Sequence, residues 1–154
     1  MHKEMSESLG VCIKIEAMTA EIYHAFNRLF PQVKDFWYDL ALSEENHTNI
    51  LLVAAGLHRA RKLTEYIVSP SLSNIQETFT LVSDSRKRIG ANNVSIKDAF
   101  EIALQIENST GEDYFQQVMR QETDSEVILG LQKLLVSEQL HSVKIQDFMK
   151  THRF

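Results

Sequence analysis

The chain has 154 residues, 24% of them charged, and a formal net charge of −5 at pH 7. That length gives one domain, 1–154, with enough interior to fold without covalent staples, and the single cysteine, Cys12, excludes an internal disulfide and any Cys-x-x-Cys metal site. The acidic balance argues against a nucleic-acid partner, because basic residues cluster only at Arg59, Arg61 and Lys62 and at Arg86, Lys87 and Arg88, which read as solvated helix ends.

Five Gly and two Pro leave room for long helices and little for hairpin-rich sheets. A first helix is predicted over about residues 6–30, where Leu9, Ile13, Glu16, Ala20, Tyr23 and Asn27 recur on one face. Pro31 marks its boundary, being suited to a first helical turn and not to an interior. A second helix over about 32–58 puts Val33, Trp37, Leu40, Glu44, His47, Leu51 and Ala54 on one stripe. The stretch 59–94 is the least periodic, with turn signals at Ser69-Pro70-Ser71 and Gly90-Ala91-Asn92-Asn93, and holds a modest helix over about 73–89. A third long helix opens at Ser95 with a capping box in which Asp98 takes the usual Glu position, and aligns Phe100, Ala103, Glu107, Gly111, Tyr114 and Val118. A fourth starts near Thr123 and aligns Val127, Leu131, Leu134, Glu138, His141, Ile145 and Phe148. The expected fold is all-α: a four-helix bundle of two antiparallel helical hairpins joined by one long crossover, the ferritin-like arrangement. No apolar run reaches the roughly 18 residues that span a bilayer, and the first residues lack the apolar stretch of a signal peptide, so a cytoplasmic protein without membrane association is expected.

The chemistry lies in two copies of one pattern. Glu44-x-x-His47 and Glu138-x-x-His141 each follow a Glu on the preceding long helix, Glu16 and Glu107, and each of those is followed seven residues later by a tyrosine, Tyr23 and Tyr114. The flanking segments match as well, which suggests an internally duplicated hairpin. Glu16, Glu44, His47, Glu107, Glu138 and His141 are the six side chains with which a four-helix bundle binds two metal ions. A third Glu-x-x-His, Glu21 with His24, is a decoy, since Glu21 lies about 140° around the helix from Glu16. Buried carboxylates need compensation, and no Lys or Arg shares these stripes; two divalent cations would supply it. Mixed carboxylate and imidazole ligands suit iron or manganese, with zinc as a further candidate. Tyr23 and Tyr114 are placed to hydrogen-bond a ligand carboxylate of the opposite half. Cys12 reads as a small core residue, His58 as a capping or exposed one, and Glu45, Glu101, Glu112 and Glu122 as solvated-face residues.

The run Ile15-Glu16-Ala17-Met18-Thr19-Ala20-Glu21-Ile22-Tyr23, with Leu40-Ala41-Leu42-Ser43-Glu44-Glu45-Asn46-His47, resembles the rubrerythrin branch of the ferritin-like superfamily over nearly the whole chain. The resemblance implies two iron ions cycling between Fe2+ and Fe3+, held by the six residues above, with Glu44 and Glu138 bridging. It also implies hydrogen peroxide or dioxygen as substrate, and an external electron donor such as a rubredoxin or flavoprotein, because these 154 residues, with one cysteine, hold no rubredoxin-type iron site. A homodimer is the expected assembly. A second departure is Thr110, which stands where the family carries an additional Glu one turn past the third-helix ligand. Two other readings use the same residues: a bacterioferritin-like ferroxidase and iron-storage protein, and a non-catalytic metal-binding bundle.

Overall fold

A computed structural model describes residues 2–137 and 139–154. Among these the chain is all-helical, with seven α-helices and no strand: α1 (His2–Leu29), α2 (Lys34–Arg59), α3 (Leu72–Gly90), α4 (Ile96–Glu107), α5 (Thr110–Arg120), α6 (Glu126–Gln132) and α7 (His141–His152). None of them is long and apolar enough to cross a membrane.

The first hairpin matches its sequence pattern closely. A 3-10 turn over Pro31–Val33 links α1 to α2, and the pairings across it run in opposite directions: His2 stacks on His58, His47 approaches Glu16, and Trp37 packs on Tyr23 and Phe26. The whole predicted stripe of α2 is buried. An aromatic cluster closes the far end, where Trp37 packs on Phe36 and Phe100, and Phe148 stacks on both of these. The predicted 73–89 helix is present as α3 and lies against α1, with Arg86 paired to Glu21. α4 begins at the predicted capping box: Ser95 Oγ accepts from Asp98 N, and Asp98 Oδ2 accepts from Ser95 N. α4 and α7 pack antiparallel, Phe100 lying on Phe148 and Glu107 on His141.

Two of the predicted long helices are interrupted. The third breaks at Asn108 and Ser109, where Ser109 has extended dihedrals and its hydroxyl donates to Ile106 O. Gly111 then lets α5 close on α3: its N–H donates to Thr78 Oγ1, and a Cβ there would sit 2.8 Å from that oxygen. A Gly111→Ala change should therefore displace α5 and cost about 1–3 kcal/mol, measurable by urea denaturation.

The fourth predicted helix is split between α6 and α7. The connecting strap contains neither Gly nor Pro. Side chains from other elements bind its backbone in place of a helical ladder: the Asn46 amide donates to Leu134 O and accepts from Val136 N, and Arg120 donates to Ser137 O and Gln139 O. Leu134, expected on the buried stripe, is 45% exposed as a result. Glu138 lies outside the described residues.

Candidate metal centre

The hairpin α1–α2 brings Glu16, Glu44 and His47 together because each sits on the buried stripe of its helix at the same level. The chain ends that the two interruptions create bring the rest. Glu107 closes α4, His141 opens α7, and Glu112 enters from the first turn of α5. Every one of these six side chains is at most 3% exposed.

The atoms converge tightly. His141 Nδ1 lies 2.6 Å from Glu44 Oε1 and 3.3 Å from Glu107 Oε1, while His47 Nδ1 lies 3.4 Å from Glu44 Oε2 and 3.6 Å from Glu16 Oε2. The two imidazoles stack at 5.0 Å, and the Phe115 ring stands edge-on to His47. Two ligand triads result, Glu44 with His47 and His141, and Glu16 with Glu44 and Glu112, the atoms within each lying within 4.8 Å of one another. Glu44 belongs to both.

The surrounding polar groups fix the outer atoms. Tyr23 Oη donates to Glu107 Oε1 at 2.6 Å and Gln116 Nε2 donates to Glu107 Oε2 at 2.9 Å, while His141 Nε2 pairs with Ser43 Oγ at 2.7 Å. The inner atoms differ. Glu16 Oε2, both Glu44 oxygens, both His47 nitrogens, Glu112 Oε2 and His141 Nδ1 are buried without an aligned hydrogen bond. Among the described residues, Trp37 Nε1 is the sole buried side-chain polar atom outside this cluster in the same condition. Buried polar atoms are almost always paired, and these seven, on five neighbouring side chains, are the exception. Ligand atoms at roughly 2.0–2.2 Å from a shared cation would be close to these separations, and the donor set of carboxylates and imidazoles fits a divalent metal.

The electrostatics carry the same strain. Burial, then neighbouring Glu44, raises the Glu16 carboxyl well above its ordinary range, and burial with Glu16 does the same to Glu112. Glu44 is raised by burial and by Glu107. Burial also pushes Glu107 upward, but His141 and the hydrogen bond from Tyr23 bring it down to about 2. His141 is raised well above its usual value, Glu107 and Glu44 outweighing its burial. Tyr23→Phe removes a buried charge-assisted bond and should destabilise the protein by about 1.5–3 kcal/mol; it should also raise the Glu107 pKa. Chemical denaturation and carboxylate NMR titration would measure the two effects.

Five of the six predicted ligands meet here. Tyr23 bonds the opposite half's Glu107 as expected, but Tyr114 is half-buried and, among the described residues, makes no hydrogen bond to the cluster, because the break after Glu107 resets the helical phase. The same break corrects the reading of Glu112 as solvated: it carries Glu112, instead of residue 110, into the site. The segment Ser109-Thr110-Gly111-Glu112 spells a helix start in the S-x-x-E form, the signal from which this reset was readable. Gln116 and Ser43 are additional members of the site. The decoy pair stays at the surface, Glu21 with Arg86 and His24 with Glu45. Cys12 is buried; its burial and the nearby Glu112 and Glu16 push the thiol pKa far up, which suits a packed core residue. His58 differs from expectation in being buried, its ring nitrogens facing Leu63 O and His2 O. The chain matches no family model, no curated protein and no solved structure.

Proposed function

We propose that this chain binds two divalent metal ions between its two helical halves and acts as a non-haem di-iron oxidoreductase of rubrerythrin type on a ferritin-like bundle, reducing hydrogen peroxide or dioxygen with an external electron donor. The observation that carries the proposal is the set of five buried side chains, Glu16, Glu44, His47, Glu112 and His141, which form two triads sharing Glu44 and keep seven polar atoms without an aligned hydrogen bond. In this reading Glu44, His47 and His141 would hold one ion and Glu16, Glu44 and Glu112 the other, with Glu107 beside His141.

Reduction of hydrogen peroxide to two waters takes two electrons and two protons, and a pair of ferrous ions held by these residues would supply the electrons. The protein's own residues set the conditions for this. Tyr23 and Gln116 hold both oxygens of Glu107, so that carboxylate keeps its orientation and charge. Ser43 holds His141 Nε2, which leaves Nδ1 to face the cluster. Phe115 and the near-zero exposure of the ligands keep bulk water from the reacting centre.

The test is metal analysis after expression with added iron, followed by anaerobic reduction and addition of peroxide while the near-ultraviolet and visible spectrum is recorded. About two irons per chain, with stoichiometric peroxide consumption tied to their oxidation, is the expected result. Substoichiometric, easily washed metal would refute the reading. Tightly bound metal inert to peroxide would leave the binding site and remove the enzyme.

A further inference from the structure

A cavity of about 360 Å3 lies at the end of the α1–α2 hairpin away from Pro31, between the start of α1, the last turn of α2 and the segment 61–66 that follows it. Much of its lining is apolar: Met5 is 3% exposed and Leu63 is 1% exposed, with Tyr66 half-buried beside them. One wall is held in place by the backbone. His58 Nδ1 faces Leu63 O at 3.3 Å and Nε2 faces His2 O at 3.0 Å, so both ring nitrogens are engaged and the imidazole presents its flat side. The His2 ring stacks on it, the centroids 4.1 Å apart. Such a lining is ordered before any ligand arrives, which lowers the cost of binding. The volume falls at the small end of the range for small-molecule sites, about 300–1,000 Å3. An occupant is therefore a single ring system or a short chain.

The charge around the cavity has one sign. Neither Glu4 nor Glu65, the acidic neighbours of lining residues in the sequence, lines it, and the Glu65 carboxylate is engaged by the Thr64 N–H, the Thr64 hydroxyl and Ser125. Arg61 supplies a full positive charge at the rim. Among the described residues its guanidinium has no carboxylate partner, whereas Arg86, Arg88 and Lys97 are each ion-paired. Arg61 follows the cap of α2 with a φ of 58°, its N–H donating to His58 O and the next N–H, of Lys62, to Leu57 O. Helices that close in this way favour Gly at that position, and an arginine there takes on backbone strain. An apolar cavity with a single cation at its edge fits an amphipathic anion. The planar guanidinium fork matches a carboxylate in particular.

We infer that this cavity binds a small organic monocarboxylate, its apolar body against Met5, Leu63 and Tyr66 and its carboxylate paired with Arg61. The site is independent of what the interior cluster binds, since His58 lies about 16 Å along α2 from His47. Octanoate and 2-naphthoate are the probes, titrated into the full chain by calorimetry and by amide NMR. Each should bind at one molecule per chain with a Kd below about 1 mM, with shifts centred on residues 58–66 and the start of α1. The neutral amides of the two acids should bind at least about 10-fold more weakly, and so should acetate, which keeps the charge and lacks the apolar body. The tighter of the two acids tells whether the cavity prefers a fatty or an aromatic carboxylate. Arg61→Gly removes the charge and relieves the strain at a positive φ, so it should keep or raise the thermal midpoint while losing at least about 10-fold in affinity. Thr64→Trp, from an exposed position at the rim, should block both acids with the charge intact. No saturation at about 10 mM acid, or an affinity unchanged in Arg61→Gly, would overturn the inference. So would acetate binding as tightly as octanoate, which would show a surface ion pair only.

Discussion

Glu44→Gln is expected to leave the metal-free protein as stable as before or more so, and to abolish its stabilisation by metal. Glu44 sits at the junction of both triads with neither oxygen in an aligned hydrogen bond, and burial together with Glu107 penalises its charge. An amide of the same shape carries no charge and offers two N–H donors to surroundings rich in unpaired acceptors, among them Glu16 Oε2. His141 keeps Glu107 as its counter-charge. Removing the desolvation penalty of one buried carboxylate is worth on the order of 1–3 kcal/mol, so the midpoint of urea unfolding without metal should rise or hold. A neutral amide cannot bridge two cations, and affinity should fall by more than about 100-fold, exceeding the loss seen for groups one step removed from a metal. Thermal melts of wild type and variant, each with and without anaerobic Fe2+, Mn2+ or Zn2+, give all four corners of the comparison. A variant that melts lower without metal, yet gains as much from metal as wild type, would show that Glu44 is an ordinary structural residue.

The opposite signs expected for Glu44 also explain which parts of this molecule the sequence disclosed. Where local pattern and tertiary need agree, the expectation and the structure coincide. The α1–α2 hairpin is the case in point: its apolar spacing, the Pro31 boundary and the aligned Glu16, Glu44 and His47 all point to the same buried face. The capping box at Ser95 is equally local and equally legible.

The second half departs for two different reasons. After Glu107 the chain carries its own breaker, Asn108-Ser109-Thr110-Gly111, but the apolar spacing runs through it unbroken, so a continuous helix was the simpler expectation. Gly111 tips the balance because Thr78, 33 residues earlier, approaches too closely for any other residue. Between α6 and α7 no local signal exists at all. The described residues there leave the helix where Asn46 holds Leu134 O and Val136 N and Arg120 holds Ser137 O and Gln139 O, and such bonds are visible only once the fold is known.

The pH response follows from the same cluster, and its sign separates a metal site from a wet polar interior. In the metal-free protein Glu16 and Glu112 hold protons more tightly when folded than when unfolded. As pH rises above the ordinary carboxylate range, about 4.3, the unfolded chain gives those protons up first and folding stability falls. His141 has the same sign: raised in the folded state, its stabilisation is complete below about 6.5 and is lost as pH climbs through its folded value. Within the cluster Glu107 opposes them, since at about 2 its stabilisation is present above the unfolded carboxylate range and disappears only as pH falls toward 2. Between about pH 5.5 and about pH 7.5 the metal-free protein should therefore lose stability, by up to about 1.4 kcal/mol per pH unit for each proton that the folded state retains and the unfolded state has lost. Divalent cations bound as proposed would compete for the very atoms that carry those protons, so their binding would release protons and tighten with pH. The stabilisation gained on adding Mn2+ or anaerobic Fe2+ should accordingly widen over the range in which the apoprotein weakens, with measurable acidification in unbuffered solution. A gap between the two forms that does not change with pH, or binding without proton release, would mean that metal attaches elsewhere and that the buried carboxyls keep their protons in its presence.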